Sequence, residues 1–529
     1  MKAIFFLIKL GGWQFIGAGL LSLVAGMSSG LAIKSINESI HNGIPDMQRY
    51  LFVIGSSLLL FITSSVIAST TIVAILQRIV TGLTKDFAIK ILNAEYINTE
   101  SNQDKLMSVF FHDINTISNL TEKIPNLFVS STVVMVCSGY IYYLSSQLFL
   151  FLIGMIMLVG LSVLITNRPL RKVARINRSI FDTYLQKTKH LIYGIRELKL
   201  NKHHYKYFID DEFERTLETK RKNTVKERII ITTTDKIVES LALASIALMV
   251  LFFTYLSSDT NQDSFVEGFT MSLFLAAPLA SVASFAKGLK TFNAAMNQIS
   301  TLGLELDKKV SVSGVVTNNS SHFTPLILNK ICFKYETNKT EYTLNNINLT
   351  IPPGTINFIT GGNGSGKTTL GKVITGLYTP NTGTIELNGQ KVEKTNLDDY
   401  RNHFTAIWND NYLFEDVNYT QWKNYDWNKK LKELELDDHL GIENGIYTNM
   451  KLSSGQQKRL AFLTSLLEDK PIWFFDEWAA YQDVHFKQLF YNEILPNLKK
   501  MGKTIIAITH DDQYFQVADQ IIEIKNGTN

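Results

Sequence analysis

The longest uncharged stretch of the sequence spans residues 124–167, where no Asp, Glu, Lys or Arg occurs. A helix needs about 20 apolar residues to cross a bilayer, so this stretch is long enough for two spans joined by the short polar turn of residues 145–147. Four other uncharged segments are long enough for one span each. The sequence therefore predicts six transmembrane helices, near residues 13–32, 51–76, 124–144, 148–167, 240–258 and 268–286.

The distribution of Lys and Arg predicts which side of the membrane each connection faces. Residues 37–48, 144–147 and 257–267 contain neither, whereas residues 168–236 are rich in both. Because Lys and Arg accumulate in cytoplasmic loops, we expect both termini in the cytoplasm. The long connections of residues 78–123 and 168–236 should continue the membrane helices and turn at tips that contact the second half of the chain. The positive charge of residues 168–236 also suits a surface facing anionic membrane lipids.

The 529 residues exceed what one hydrophobic core usually holds. Long uncharged stretches occupy much of the first 290 residues, whereas charged residues are regularly interspersed after about residue 304. We expect a transmembrane domain over residues 1–300 with an interfacial helix at its start, a polar linker over 301–322 and a second domain over 323–529. The net charge of +4 gives no reason to expect a nucleic-acid partner, and the two cysteines support neither a disulfide scaffold nor a zinc site.

Few residues of the first half stand out as contacts for a transported molecule. Glu239 opens the fifth predicted span, where a carboxylate is a candidate substrate contact or a group at the water interface. Tyr140, Tyr142 and Tyr143 could line a cavity, and helix packing or an aromatic belt explains them equally well. None of these residues identifies a substrate.

A phosphate-binding loop is predicted at residues 361–369, which follow an apolar run and satisfy the pattern G-x-x-x-x-G-K-[ST]. Glycines there let backbone N–H groups surround the phosphates of ATP, Lys367 adds a positive charge, and the hydroxyl of Thr368 can ligate Mg²⁺. The predicted nucleotide contacts of this loop are Gly361, Gly362, Asn363, Gly364, Ser365, Gly366, Lys367, Thr368 and Thr369.

Further candidate residues surround this loop in the sequence. The apolar run of residues 471–477 ends in Asp476, placed to reach Mg²⁺, and Glu477, placed to polarise the attacking water. The strand predicted at residues 504–509 delivers His510, which can contact the γ-phosphate and Glu477. Tyr335 precedes the loop and is expected to stack on adenine. We therefore predict Glu477, His510 and Lys367 as the catalytic residues.

The stretch LSSGQ at residues 452–456 resembles the signature sequence of ATP-binding cassette proteins. Together with the phosphate loop, FFDE and His510, it makes the second half similar to that family throughout. In the family, N–H groups of this segment bind the γ-phosphate of the partner's nucleotide at a helix N-terminus. The resemblance implies nucleotide contacts from Ser453, Ser454, Gly455 and Gln456.

The resemblance implies an exporter half-transporter: a polytopic helical membrane domain followed by an α/β P-loop nucleotide-binding domain. Two chains would form a homodimer in the bacterial inner membrane, where Ser453 of one completes the site built on Lys367 of the other. ATP and Mg²⁺ would bind there. ATP binding would close the dimer and turn a central cavity outward, and hydrolysis would reset it.

Five stretches are also similar to bacterial exporters of cyclic peptides and peptide siderophores: residues 194–201, 404–416, 452–462, 474–483 and 509–527. That resemblance implies a peptide-like cargo, such as a cyclic peptide, a lasso peptide or a siderophore precursor. A lipid or multidrug exporter of the same architecture is the first alternative. A membrane-anchored regulator driven by ATP is the second.

The chain departs from the family pattern at three places. Asn409 stands where most members have a glutamine that reaches Mg²⁺, and it is predicted here as a nucleotide and metal contact that acts through water. Residues 480–483, AYQD, replace the usual SALD. The segment between Asn409 and Leu452 is short, which predicts a small helical subdomain. We expect modified coupling with hydrolysis retained.

Overall fold

The computed structural model describes residues 2–41, 47–256, 262–307, 324–335, 343–417, 422–424 and 426–529. The chain divides into two compact units, the first of residues 1–92 and 101–308 and the second of residues 93–100 and 309–529. Most of the linker predicted over residues 301–322 lies outside the described residues, as do the last two residues of the fifth predicted span and the first three residues after it.

The first unit is helical throughout its described residues. The helices in this half of the chain are α1 (Lys2–His41), α2 (Met47–Asn93), α3 (Tyr96–Ser101), α4 (Gln103–Ser108), α5 (Ile114–Thr121), α6 (Ile124–Leu144), α7 (Ser146–Tyr193), α8 (Ile195–Leu200), α9 (Lys202–Tyr207), α10 (Glu214–Leu256) and α11 (Gln262–Asp307). Single π-helical turns, Val109–Asp113 and Phe208–Phe213, join α4 to α5 and α9 to α10.

Five stretches of the described residues are long and apolar enough to cross a membrane by length and composition: Gly12–Ser39, Gln48–Asn93, Gln103–Leu144, Ser146–Tyr193 and Val266–Gly303. They contain the first, second, third, fourth and sixth predicted spans. The described part of the fifth predicted span lies in α10. The protein is therefore a multi-pass membrane protein.

Several of these helices are much longer than a bilayer is thick. The 47 residues of α2 and the 48 residues of α7 correspond to about 70 Å of helix, against a hydrocarbon core of about 30 Å. Each helix must therefore continue well beyond the lipid. Gly12 has φ 53° and ψ −145° and interrupts α1, which separates its first residues from the span that follows.

Small residues allow close packing between α1 and α6. A Cβ atom added to Gly26 would lie 2.9 Å from the carbonyl carbon of Thr132, too close for any side chain. The hydroxyl of Thr132 donates to the carbonyl oxygen of Ser22 at 2.7 Å. Close approach of helix backbones at small residues, with hydroxyls bonding across, is how helices associate in membranes.

The second unit contains two main sheets. Its strands are β1 (Leu326–Phe333), β2 (Leu344–Ile351), β3 (Ile356–Gly361), β4 (Thr382–Leu387), β5 (Gln390–Lys391), β6 (Phe404–Ile407), β7 (Gly441–Glu443), β8 (Ile446–Thr448), β9 (Ile472–Asp476), β10 (Thr504–Ile508) and β11 (Gln520–Ile524). Its helices are α12 (Lys367–Ile374), α13 (Leu397–Arg401), α14 (Trp427–Glu433), α15 (Ser454–Glu468), α16 (Val484–Leu489) and α17 (Leu495–Lys500).

A five-stranded parallel sheet in the order β11-β3-β10-β9-β6 forms the centre of this unit. All five residues of β9 and of β10 are buried, as expected for central parallel strands covered on both faces. A separate antiparallel sheet has the order β2-β1-β4-β5. Parallel strands end at one edge, so the residues after β3, β9 and β10 meet there.

The segment of residues 93–100 packs with the second unit, although the chain enters it from α2. Within that unit, the Lys372 ammonium donates to Glu100 Oε1 at 2.8 Å, and the Tyr378 hydroxyl donates to Glu100 Oε2 at 2.5 Å. The Tyr96 and Tyr378 rings lie 6.1 Å apart. The first long connection therefore supplies an integral part of this domain.

Candidate functional site

The turn between β3 and α12 requires glycine at its two ends. Gly361 has φ 143° and Gly366 has φ 101°, values that other residues rarely adopt. A Cβ atom at Gly361 would lie 2.3 Å from the carbonyl oxygen of Ile524, and one at Gly366 would lie 3.1 Å from that of Thr343. The turn leads into the N-terminus of α12, whose N–H groups and dipole suit a phosphate.

Lys367 is the first residue of α12 and is 6% exposed. Its ammonium donates to the carbonyl oxygens of Gly361 at 3.0 Å and Gly362 at 2.9 Å, so it lies against the turn. The hydroxyl oxygen of Ser365 is buried and has no hydrogen-bond partner among the described residues. Thr368 is exposed. The turn thus gathers one positive charge and hydroxyl groups around the helix N-terminus.

Tyr335 lies beside this helix and just after β1. Its hydroxyl is 3.1 Å from the hydroxyl oxygen of Thr369. Its ring packs edge-on against Phe333 at 5.3 Å and Tyr378 at 5.9 Å between centroids. The predicted adenine contact is therefore half-buried and joined to the phosphate turn through Thr369, which is itself buried.

Asp476 ends β9, opposite Ile508 of β10. It is 4% exposed, and among the described residues nothing hydrogen-bonds to its Oδ1 atom. The pKa of Asp476 is raised to about 6, first by burial and then by the negative charge of Glu477. Lys458 and the backbone N–H of Asn409 lower this pKa and only partly offset the rise. A nearby cation would stabilise the ionised form.

Glu477 follows at the sheet edge in a left-handed backbone conformation, with φ 48° and ψ 41°. Its N–H donates to the carbonyl oxygen of Ile508 at 3.1 Å. Its Oε1 atom lies 3.3 Å from Nε2 of His510, the residue predicted to link it to the γ-phosphate. A non-glycine residue with positive φ is uncommon and often marks a functional position.

The signature segment forms the N-terminus of α15. Ser453 is the N-cap: its Oγ atom accepts the N–H of Gln456 at 3.3 Å, and the Gln456 side chain accepts the Ser453 N–H at 2.9 Å. Ser453 and Ser454 are exposed, whereas Gly455 is buried, and a Cβ atom there would lie 3.1 Å from the carbonyl oxygen of Tyr481. This capping box fixes the helix start.

Asn409 is exposed after β6 and lies next to a residue that sequence reasoning did not select, Lys458. The Lys458 ammonium donates to Asn409 Oδ1 at 3.0 Å and to the carbonyl oxygen of Glu477 at 2.9 Å. Lys458 is 3% exposed, and burial lowers its pKa to about 8 against the attraction of Asp476 and Glu477. The sequence signal that could have identified Lys458 is the presence of a lysine within the apolar pattern of α15.

Residues 480–483, AYQD in place of the usual SALD, contact the start of α15. Gln482 is buried; its amide donates to the carbonyl oxygen of Gly455 at 3.1 Å and its Oε1 atom accepts from Arg459 Nε at 3.2 Å. Asp483 caps α16 by accepting the N–H of Phe486 at 2.9 Å. Gln482 therefore fastens this loop to the start of α15.

The residues present fit a bound Mg²⁺ ion. Asp476 offers a buried carboxylate oxygen without a partner among the described residues, and Thr368 offers an exposed hydroxyl at the start of α12. Hard oxygen ligands of this kind suit Mg²⁺ beside phosphates. The side-chain oxygen of Asn409 already accepts from an ammonium, which makes it a poorer direct ligand than the other two.

Two of the four predicted cargo contacts of the first unit, Glu239 and Tyr140, have polar partners within it. Glu239 forms an exposed ion pair with Lys236 at 2.7 Å. The hydroxyl of Tyr140 donates to Glu267 at 2.8 Å, while Tyr142 and Tyr143 are exposed.

Comparison with known proteins agrees with this architecture. Residues 10–282 match the family described as ABC transporter transmembrane region, and residues 344–480 match the family described as ABC transporter. ATP-binding protein SyrD of Pseudomonas syringae pv. syringae is 29% identical over 97% of this chain and 93% of its own length. An ATP-dependent lipid A-core flippase of Burkholderia thailandensis is 25% identical over 82% of this chain and 74% of its own.

A solved structure of a bacterial Atm1-family ABC exporter with ATP bound has the same fold, with a TM-score of 0.78. The alignment covers 97% of this chain and 94% of that one, at 15% identity. The prediction of a helical membrane domain followed by a P-loop domain is confirmed. The chain therefore belongs to the ABC transporter family, as an exporter of half-transporter size whose ATP-binding domain hydrolyses ATP to drive transport.

Proposed function

We propose that this protein works as a homodimer in the bacterial inner membrane, with both termini cytoplasmic, and exports a peptide-like secondary metabolite. The observation that carries the proposal is the meeting of the ends of β3, β9 and β10 in unit 2, which brings Lys367, Asp476, Glu477 and His510 to one sheet edge. That arrangement provides a phosphate site with a buried carboxylate and a second carboxylate beside it.

ATP binds at the turn between β3 and α12 in this proposal. The phosphates contact the N-terminal N–H groups of α12 and the Lys367 ammonium, which turns from the carbonyls of Gly361 and Gly362 toward the phosphate oxygens. Tyr335 contacts the adenine ring from its position next to Thr369. Binding energy thus comes mainly from backbone groups and one charge.

Glu477 orients the water that attacks the γ-phosphorus and receives its proton, while ADP leaves with the bridging oxygen. His510 positions Glu477 through the 3.3 Å contact and reaches the γ-phosphate. Asp476 and Thr368 would hold Mg²⁺, which when bound neutralises phosphate charge. Because the backbone of Glu477 is fixed by Ile508, its carboxylate is held in place at little entropic cost.

A second copy of the chain completes each nucleotide site. Among the described residues, no hydrogen bond joins the N-terminus of α15 to the phosphate turn within one chain. Ser453 and Ser454 are exposed at that N-terminus, where helix N–H groups attract phosphate. A partner's nucleotide is the ligand that this geometry suits, as the family resemblance implies.

The peptide-like cargo is supported by the five stretches similar to exporters of cyclic peptides and peptide siderophores. The similarity to lipid A-core flippases keeps lipid export as the second candidate. Purified protein in lipid vesicles separates them when ATPase activity is measured with cyclic peptides, siderophore precursors and lipids added in turn. Stimulation by peptides supports the proposal; stimulation by lipids alone overturns it.

Glu477→Gln tests the catalytic assignment. We expect hydrolysis to fall by about 10²- to 10³-fold, because an amide cannot accept the proton of the water, while binding of labelled ATP persists. Phosphate release by purified protein measures this. A variant with near-normal turnover would remove Glu477 from the mechanism.

A further inference from the structure

A buried ammonium joins three chain segments around the nucleotide site. Lys458 projects from α15, and its Nζ atom lies 3.0 Å from Asn409 Oδ1 and 2.9 Å from the carbonyl oxygen of Glu477. The same atom lies 4.5 Å from the ring centroid of Tyr481. The segments after β6 and after β9 are thereby tied to the signature helix through one side chain.

Packing alone does not explain a lysine at this position. Lys458 is 3% exposed, and burying an ammonium is costly unless hydrogen bonds compensate. Ala461 and Phe462, one turn further along the same face of α15, are buried in the apolar core, where a methionine of similar length would also fit. Both hydrogen bonds instead lead to residues at the reaction centre.

We propose that Lys458 is a positioning residue for ATP hydrolysis, which fixes the backbone of Glu477 and connects Asn409 to it. The inference rests on the catalytic role of Glu477 given above. The side chain of Asn409 is one methylene shorter than that of the glutamine usual in the family. The Lys458 ammonium lies between Asn409 and the backbone of Glu477 at the end of β9 and bonds to both. A change at Asn409 therefore reaches the general base through Lys458, without direct contact between the two residues.

Lys458→Met tests this inference, with Lys503→Met as the matched control. Met keeps the apolar stem and the helix, and the bond from Trp478 Nε1 to the backbone oxygen of residue 458 is independent of the side chain. The ammonium of Lys503 also donates to a carbonyl and a side-chain oxygen, both of Asp469. We expect kcat of Lys458→Met to fall about 10- to 100-fold, with KM for ATP within about threefold of wild type and Lys503→Met unchanged in both.

A double-mutant cycle with Asn409→Ala distinguishes positioning from mere support of the fold. If the ammonium acts by joining the two segments, Asn409→Ala combined with Lys458→Met should lower kcat no further than Lys458→Met alone. Thermal unfolding and binding of labelled ATP, measured for every variant, show whether the domain is folded.

Three outcomes overturn the inference: kcat of Lys458→Met within twofold of wild type, losses that multiply in the double variant, or a loss that Lys503→Met reproduces. The proposed function fails separately. It fails if Glu477→Gln is active, whereas an inactive Glu477→Gln beside an active Lys458→Met removes only the role of Lys458.

Discussion

At the scale of single residues, the sequence revealed those site residues that directly follow an apolar strand. Asp476, Glu477 and His510 each stand at the end of such a run, so their position at the sheet edge follows from the strand pattern. Lys458 was missed because its partners are 49 and 19 residues away along the chain. Contacts of that kind depend on how α15 packs, which no local pattern specifies.

Lys367→Ala should reduce hydrolysis by about 10²- to 10³-fold, because the loop loses its one side-chain charge against the phosphates. The carbonyls of Gly361 and Gly362 lose a donor, but they can bond to water, so the unfolding temperature should change little. Phosphate release and thermal unfolding measure the two effects. Unimpaired turnover would contradict the assignment of this loop as the ATP site.

At the scale of elements, apolar runs predicted β3, β9 and β10 of the parallel sheet and most spans, since burial on both faces or in lipid leaves a continuous signal. The antiparallel sheet β2-β1-β4-β5 was not predicted, because half-exposed strands leave a weaker pattern. The sequence predicted that the tip of the first long connection contacts the second half of the chain, but not which residues form the contact. The structure shows that residues 93–100 pack into unit 2. Between Asn409 and Leu452 the described residues contain one short α-helix, α14.

Ser453→Asp separates the two roles of the α15 N-terminus. Asp is as good an N-cap as Ser, so the free energy of unfolding should be unchanged. The added carboxylate would repel a phosphate, and hydrolysis should fall at least about tenfold. Thermal unfolding and phosphate release report the two effects.

The control for that variant is Asp426→Ala, which removes the N-cap of α14, where the side chain accepts the N–H of Lys429 at 3.2 Å. It should cost about 1 kcal/mol of stability with turnover per folded molecule preserved. Normal hydrolysis by Ser453→Asp would mean that this helix terminus does not bind phosphate.

At the scale of the whole molecule, the central question is whether each nucleotide site is shared between two chains. Lys367 and Ser453 occur once per chain, so a symmetric dimer has two sites whose composition depends on the pairing. If the sites are shared, a chain carrying Lys367→Ala paired with one carrying Ser453→Asp leaves one site intact. A wild-type chain paired with a chain carrying both substitutions leaves none.

These two dimers contain the same substitutions and differ only in their distribution, so each is the control of the other. With Glu477→Gln added to every chain to prevent turnover, dimers purified through two different tags should retain about two ATP molecules without further substitutions. The dimer with one substitution in each chain should retain about one, and the dimer with both in one chain about none. Sites built within single chains would reverse the last two counts, because both substitutions would then damage one site and spare the other.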